Sequence, residues 1–302
     1  MSLPFSILQV VGLVSLSLHS LAQESKQGQS AHIVWSGGEK SPVICVGKPT
    51  WFVGVVPESI NLEVSPAASI NLPEALASAT LLHLDPESRL CLFESSVQSN
   101  EISPLSFSSR EKVVPGAKLQ CPTGKGNCAS TITGKEWHYR GVNFRSPLLH
   151  MRLADPNQHC EPGTPLINSD GELEGIVSTH KTKVENEVFA IPASRISKLV
   201  TEIKQHRKSG PVWLGLLFHA ESSSPEVMQV KANSPSSVAG IKPGDVIFGV
   251  NNHPVEDLND LVEIIHSLPA EEEATFRLLR GINEKSIVVT PQFAVSDLAE
   301  NR

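Results

Sequence analysis

The sequence predicts a mostly β protein in two parts, a large barrel or sandwich region followed by a small second β domain. Three observations carry this. From about Gln29 to Ser197 the chain runs as short apolar stretches broken by Gly, Pro, Ser and Asn. A helical period then appears once and stops at Ser209-Gly210-Pro211. Beyond it, to about Pro291, further apolar runs surround one amphipathic stretch.

In the first part the predicted strands are Ile44–Val46, Trp51–Val56, Ile60–Val64, Ala79–Leu84, Leu90–Glu94, Lys118–Cys121, Ala129–Thr133, Leu149–Arg152, Leu173–Ser178 and Glu187–Ala190. Each is rich in β-branched or aromatic residues and bounded by turn formers, and no helical stretches alternate with them as βαβ units require. A helix is expected from Ala193-Ser194, because Ile196, Leu199, Val200 and Ile203 repeat at helical spacing. Gly210 and Pro211 end it and mark a domain boundary. The second part predicts strands at Val212–Phe218, Val227–Val230, Val246–Val250, Ala274–Leu279 and Ser286–Thr290, with a helix at Leu258–Leu268.

At 302 residues the chain can build one large or two ordinary cores. A net charge of -7 argues against nucleic acid as a partner, and the short basic run Lys204–Lys208 reads as a solvated helix end. Residues 1–22 hold no Asp, Glu, Lys or Arg, and their apolar run ends in Ser20-Leu21-Ala22 before Gln23. That pattern predicts a secretory signal cleaved after Ala22, hence an exported, periplasmic or extracellular protein. An uncleaved anchor is the alternative, and no other stretch is apolar and long enough to span about 30 Å of hydrocarbon. Among the five cysteines, Cys121 and Cys128 flank a Pro-Thr-Gly-Lys-Gly-Asn loop, which suits either a small disulfide ring or two thiols. Cys91 reads as a core residue. No C-x-x-C pair, helical His pair, P-loop or G-x-G-x-x-G occurs, so neither metal nor cofactor is expected.

Two strings carry a resemblance. Residues 160–166 read Cys-Glu-Pro-Gly-Thr-Pro-Leu, followed by the turn Asn168-Ser169-Asp170-Gly171. Residues 234–247 read Ser-Pro-Ser-Ser-Val-Ala-Gly-Ile-Lys-Pro-Gly-Asp-Val-Ile, with Trp213-Leu214-Gly215-Leu216 upstream and Asn251-Asn252-His253-Pro254-Val255 downstream. The first resembles the Gly-Asn-Ser-Gly-Gly-Pro-Leu nucleophile loop of HtrA/DegP-type serine proteases. The second resembles their PDZ domain. Asp85-Pro86-Glu87-Ser88-Arg89-Leu90-Cys91-Leu92-Phe93 is similar to their Asp-Pro-x-x-Asp strand, and Phe189-Ala190-Ile191-Pro192 to their exit from the barrel. The resemblance implies a trypsin-like double β-barrel over residues 23–200, a linker helix end at 201–211, a PDZ domain at 212–293 and a tail at 294–302. Residues 30–78 carry no matching motif.

Triad chemistry needs a base, an orienting carboxylate and a hydroxyl in fixed geometry. Aligned on Pro165-Leu166, the serine position is Pro162, which has neither a hydroxyl nor an N–H for an oxyanion hole. The aspartate position falls on Arg89, whose charge opposes an imidazolium. No histidine lies between His32 and His83, and the oxyanion glycine is replaced by Cys160. The expectation is therefore a non-catalytic member, not an enzyme. It would bind peptides or protein C-termini through the PDZ domain as scaffold, adaptor or chaperone, and pair with other HtrA-like subunits. The alternative is a divergent serine- or cysteine-type endopeptidase, with Cys160 beside His159 as its thiol.

Within the PDZ-like part, the resemblance assigns the carboxylate of a bound peptide to the backbone at Trp213, Leu214, Gly215 and Leu216. Leu261 and Ile265 are expected to wall the pocket for its last side chain, with simple core packing as the competing reading. Ile176–Ser178 is the second stretch along which peptide is expected to lie.

Overall fold

The computed structural model describes residues 31–294, except for 36, 63–67, 87, 109–113, 124–125, 137–138, 141–142, 145–147, 156–158, 181–183, 185 and 220–221. The predicted signal segment, and the predicted tail beyond residue 294, lie outside the described residues.

Six strands, β1 (Ala31–Trp35), β2 (Lys40–Cys45), β3 (Trp51–Val55), β4 (Ala68–Asn71), β5 (Leu76–Leu84) and β6 (Leu90–Ser95), close a barrel in the order β1-β2-β3-β6-β5-β4. Its interior follows from the period-2 pleat. Ala31, Ile33 and Trp35 of β1 point in, and Phe52, Ile70 and Phe93 join them. The Trp35 ring meets Phe93 edge-on at 5.9 Å, and its indole N–H donates to Ser41 Oγ at 2.7 Å.

A second closed barrel has the order β11-β14-β13-β12-β7-β8. Its strands are β7 (Lys118–Thr123), β8 (Gly126–Glu136), β11 (Leu148–Leu153), β12 (Pro165–Ile167), β13 (Leu173–Val177) and β14 (Glu187–Pro192). The short strands β9 (Tyr139–Arg140) and β10 (Asn143–Phe144) pair with each other.

Helix α1 (Ala193–His206) follows β14 directly and ends earlier than Gly210-Pro211 suggests, because Arg207 takes the left-handed conformation at φ 59° and its N–H closes on the Ile203 carbonyl. The remaining strands are β15 (Val212–Trp213), β16 (Leu216–Phe218), β17 (Val227–Val230), β18 (Val246–Val250), β19 (His253–Pro254), β20 (Ala274–Arg280), β21 (Asn283–Val289) and β22 (Gln292–Phe293). They enclose α2 (Pro235–Ala239) and α3 (Leu258–Ser267). The central sheet runs β19-β18-β20-β21, while β16 pairs with β17 and β15 with β22. Leu258, Leu261, Val262, Phe276 and Leu278 form the heart of this core. Both helices are capped: Ser234 Oγ accepts the Ser237 N–H at 3.1 Å, and Asp257 Oδ1 the Asp260 N–H at 2.9 Å.

Seven strands, β1, β4, β9, β10, β12, β19 and β22, are absent from the sequence prediction, and all but the five-residue β1 are only two to four residues long. The expected strand at Ile60–Val64 does not form over its described part: Ile60–Leu62 is turn and irregular backbone. The expected Val212–Phe218 strand is interrupted at Leu214-Gly215, where the glycine turns at φ 76°.

Candidate functional site

The loop before β12 is built on Gly163. Its φ of 92°, and the approach of the Pro42 carbonyl to within 2.5 Å of where a Cβ would sit, exclude any side chain there. The Gly163 N–H donates to the Val177 carbonyl at 2.8 Å, the Thr164 N–H to Glu161 O at 3.0 Å, and the Val177 N–H to Thr164 O at 2.9 Å. These bonds explain why Pro165-Leu166 and the turn after them are kept. Asn168 Oδ1 accepts from the N–H groups of Asp170 and Glu172, each at 2.9 Å, and Gly171 sits at φ 79°. Pro162 is half-buried in the turn and brings no hydroxyl, and the Gly163 and Thr164 N–H groups face internal carbonyls.

Arg89 has a local task. At φ 59° it ends the β5–β6 turn, and its guanidinium donates to the carbonyls of Val56, Pro57 and Ile60, holding the loop after β3. His83 lies on β5 at a register shift opposite Leu92. His159 is exposed whereas Cys160 is buried, so these neighbours face different surroundings rather than forming a pair.

Cys160 instead belongs with two other cysteines. With Cys121 of β7 and Cys128 of β8 it makes a set of buried thiols that shift one another's pKa values. Cys121 Sγ also lies 3.5 Å from Ser130 Oγ. The bond from Cys160, then those from Ser130 and Cys128, hold the Cys121 thiol below its usual range despite burial. The same bond to Cys121, followed by burial, pushes Cys160 strongly up. Among the described residues, no group of three or more His, Cys, Asp or Glu could hold a metal ion.

The second candidate site is the Leu214-Gly215 turn. A methyl on Gly215 would stand 2.1 Å from Ser234 Cβ. The Leu214 carbonyl accepts the Ser236 N–H at 3.1 Å, and the Gly215 carbonyl accepts the Lys231 N–H at 2.8 Å. In a trans peptide the N–H points opposite to the C=O, so the Gly215 and Leu216 N–H groups point away from those donors. Successive N–H groups around a left-handed residue form an anion-binding concavity. Leu214 is a buried anchor, and Trp213 pairs with Gln292. Leu261 lies wholly in the core, whereas Ile265 is half-buried against it and keeps accessible surface. Behind the turn, Asp245 explains the Pro-Gly-Asp string. Its buried carboxylate takes the Lys242 N–H and two Arg280 N–H groups, all at 2.8 Å. Burial alone would raise its pKa, but the Arg280 bonds and charge outweigh it and leave the pKa below 3.8.

Residues 212–290 match the family model described as PDZ domain. The chain is 26% identical over 239 residues to the "Probable periplasmic serine endoprotease DegP-like" of Marinomonas sp. (strain MWYL1), covering 72% of this chain and 50% of that protein. It is 31% identical over 174 residues to "Serine protease Do-like HtrB" of Bacillus subtilis (strain 168), covering 49% of this chain and 38% of that protein. The chain thus spans half or less of the length of these relatives. Among solved structures, the HtrA-type protease AlgW with tripeptide superposes with a TM-score of 0.61 at 16% identity, covering 91% of this chain and 97% of that one. The expected homology to DegP/HtrA serine proteases and the two-barrel-plus-PDZ fold therefore hold. The expectation that the protein is not an enzyme is corrected. Its relatives are named serine endoproteases, which points to an enzyme. The expectation rested on Pro162, Arg89, the histidine gap and Cys160 at the oxyanion glycine, which are departures at single positions and do not show what replaces the lost groups.

Proposed function

We propose that this is an exported, HtrA-like peptide-handling protein that takes peptide or protein C-termini through its PDZ domain and acts as a serine- or cysteine-type endopeptidase. One observation supports the binding half most directly: the left-handed Gly215 turn, whose N–H groups at Gly215 and Leu216 face away from the Lys231 and Ser236 donors. A terminal carboxylate there accepts two N–H bonds, and the peptide adds as a strand beside Leu216–Phe218. Trp213 and Leu214 fix the turn from the strand and core sides, and Ile265, backed by Leu261, meets the last side chain. The names of the relatives support export and the endopeptidase half. With proline at position 162, the nucleophile of that reaction is a group other than a serine at this point of the loop; Cys160 is the thiol nearest to it in sequence. Ile176–Ser178 is the second stretch for bound peptide, and like subunits are the proposed assembly partners.

The full-length protein should bind fluorescent peptides with a free C-terminal carboxylate and lose affinity when that end is amidated. Equal binding of both forms overturns the PDZ half. Unfolded casein should be cleaved, with loss of cleavage under a serine- or thiol-directed inhibitor. Absence of cleavage by protein that still binds peptide overturns the endopeptidase half alone.

A further inference from the structure

We infer that the groove of the C-terminal domain selects chain ends by charge, taking those that carry Lys or Arg at the fourth to sixth positions from their carboxylate. The inference rests on the proposed binding of a carboxylate at the Gly215 turn and extends it upstream along the ligand. Direction follows from strand geometry. A ligand whose carboxylate meets the Gly215 and Leu216 N–H groups, and which lies beside Leu216–Phe218, runs antiparallel to β16. The strand is three residues long, so it holds the last three residues of the ligand. Earlier residues leave past Phe218, at about 3.3 Å per residue, toward the segment that joins β16 to β17. That segment is tied to α3: Leu258, the first residue of the helix, donates its N–H to the Ser223 carbonyl at 2.8 Å. The start of α3 therefore stands at the upstream end of the groove.

Charge is divided between the two ends. In the β16–β17 ladder Leu216 stands opposite Val230, and Phe218 opposite Val227. Lys231, just past Val230, donates its backbone N–H to the Gly215 carbonyl, and its Cβ lies 3.5 Å from where a Cβ on Gly215 would sit. This roots a cationic side chain at the carboxylate end. Glu226, just before Val227, is exposed at the other end. Exposed Glu256 and half-buried Asp257 and Asp260 join it at the start of α3. Asp257 Oδ1 accepts the Asp260 N–H, and Asp260 Oδ2 the Glu256 N–H, which fixes both carboxylates at this turn. Between the ends the half-buried Leu216, Phe218 and Ile265 are apolar and make no choice by charge. The imbalance belongs to this domain. Residues 212–293 hold five Lys or Arg against eleven Asp or Glu, whereas the rest of the chain holds twenty against twenty-one. Acids gathered at one end of an apolar groove attract basic ligands and repel acidic ones, which governs selectivity and association rate more than raw affinity.

The test is fluorescence anisotropy on the full-length protein with four peptides that share three apolar C-terminal residues. Two carry Lys and two carry Glu at the fourth, fifth and sixth positions from the end, each as the free acid and as the amide. The Lys acid should bind about three- to tenfold tighter than the Glu acid at low salt. The ratio should fall toward one in 1 M salt, where charges act over only about 3 Å. Glu226→Lys combined with Glu256→Lys should abolish or invert the preference while amidation still weakens binding. Equal affinity of the Lys and Glu acids at low salt, with amidation still costly, overturns this inference and leaves the Gly215 reading in place. Binding indifferent to amidation overturns both. A Lys preference that survives the double charge reversal overturns the assignment to these acids. Because the comparison of peptides on the wild-type protein decides by itself, a variant that fails to fold leaves the test intact.

Discussion

Single residues explain why the two recognisable strings take their form. Gly215 answers both a left-handed turn and the Ser234 side chain behind it. Gly215→Ala should therefore lower C-terminal peptide affinity by at least about tenfold and cost about 1–3 kcal/mol of stability, measured by fluorescence anisotropy and urea unfolding. Asp245 offers a pH test whose sign follows from its depressed pKa. Its contribution is fully present above the ordinary aspartate value of 3.8 and is lost as the pH falls below it. Asp245→Asn should flatten the acid limb of a stability–pH curve and lower the urea midpoint at pH 7. An unchanged curve would show that the pair with Arg280 contributes nothing. Arg89 was legible as a departure from the family's aspartate, but not as a clamp on three carbonyls, because those acceptors lie about 30 residues away in sequence. Arg89→Ala should destabilise the protein by about 1–3 kcal/mol by taking the guanidinium donors from these carbonyls, of which that of Pro57 keeps the Ile60 N–H.

At the scale of elements, α1 shows what periodicity can and cannot reveal. Its apolar stripe predicted the helix, yet Glu202 on it is fully buried. Its carboxylate accepts from the Ser209 hydroxyl at 2.5 Å and the Ala270 N–H at 2.9 Å, with Lys198 Nζ 3.8 Å away. A glutamate in a helix reads as surface until the groups that satisfy it are known, and Ala270 is far along the chain. Glu202→Ala should cost about 2–4 kcal/mol, read as a lower thermal midpoint, since the Ser209 and Ala270 donors lose their acceptor and Lys198 loses its counter-charge. Most of the missed strands share one cause, shortness, which the five-residue β1 does not. β4 and β12 are three or four residues long, and alternation over so few positions cannot be separated from loop. The Asn168 turn was legible because its chemistry is local, within five residues of chain.

For the whole molecule, the double barrel and the PDZ domain were readable because ordered strings survive where backbone geometry demands them: Pro-Leu entering β12, Pro-Gly-Asp entering β18. Catalytic competence was not readable in the same way. Triad residues converge from distant segments, so a sequence inspected position by position records departures and not what replaces them. Casein cleavage with matched peptide binding is the measurement that belongs to this scale.

The pairing of Val212 with Phe293 brings the two ends of the C-terminal domain side by side in one ladder. A unit whose entrance and exit share an address is portable: it needs no spanning linker to be grafted into a surface turn of another protein. Such a transplant carries the Gly215 turn with it, so under the proposed function a host with no affinity for chain ends should become a sensor for freshly cut ones.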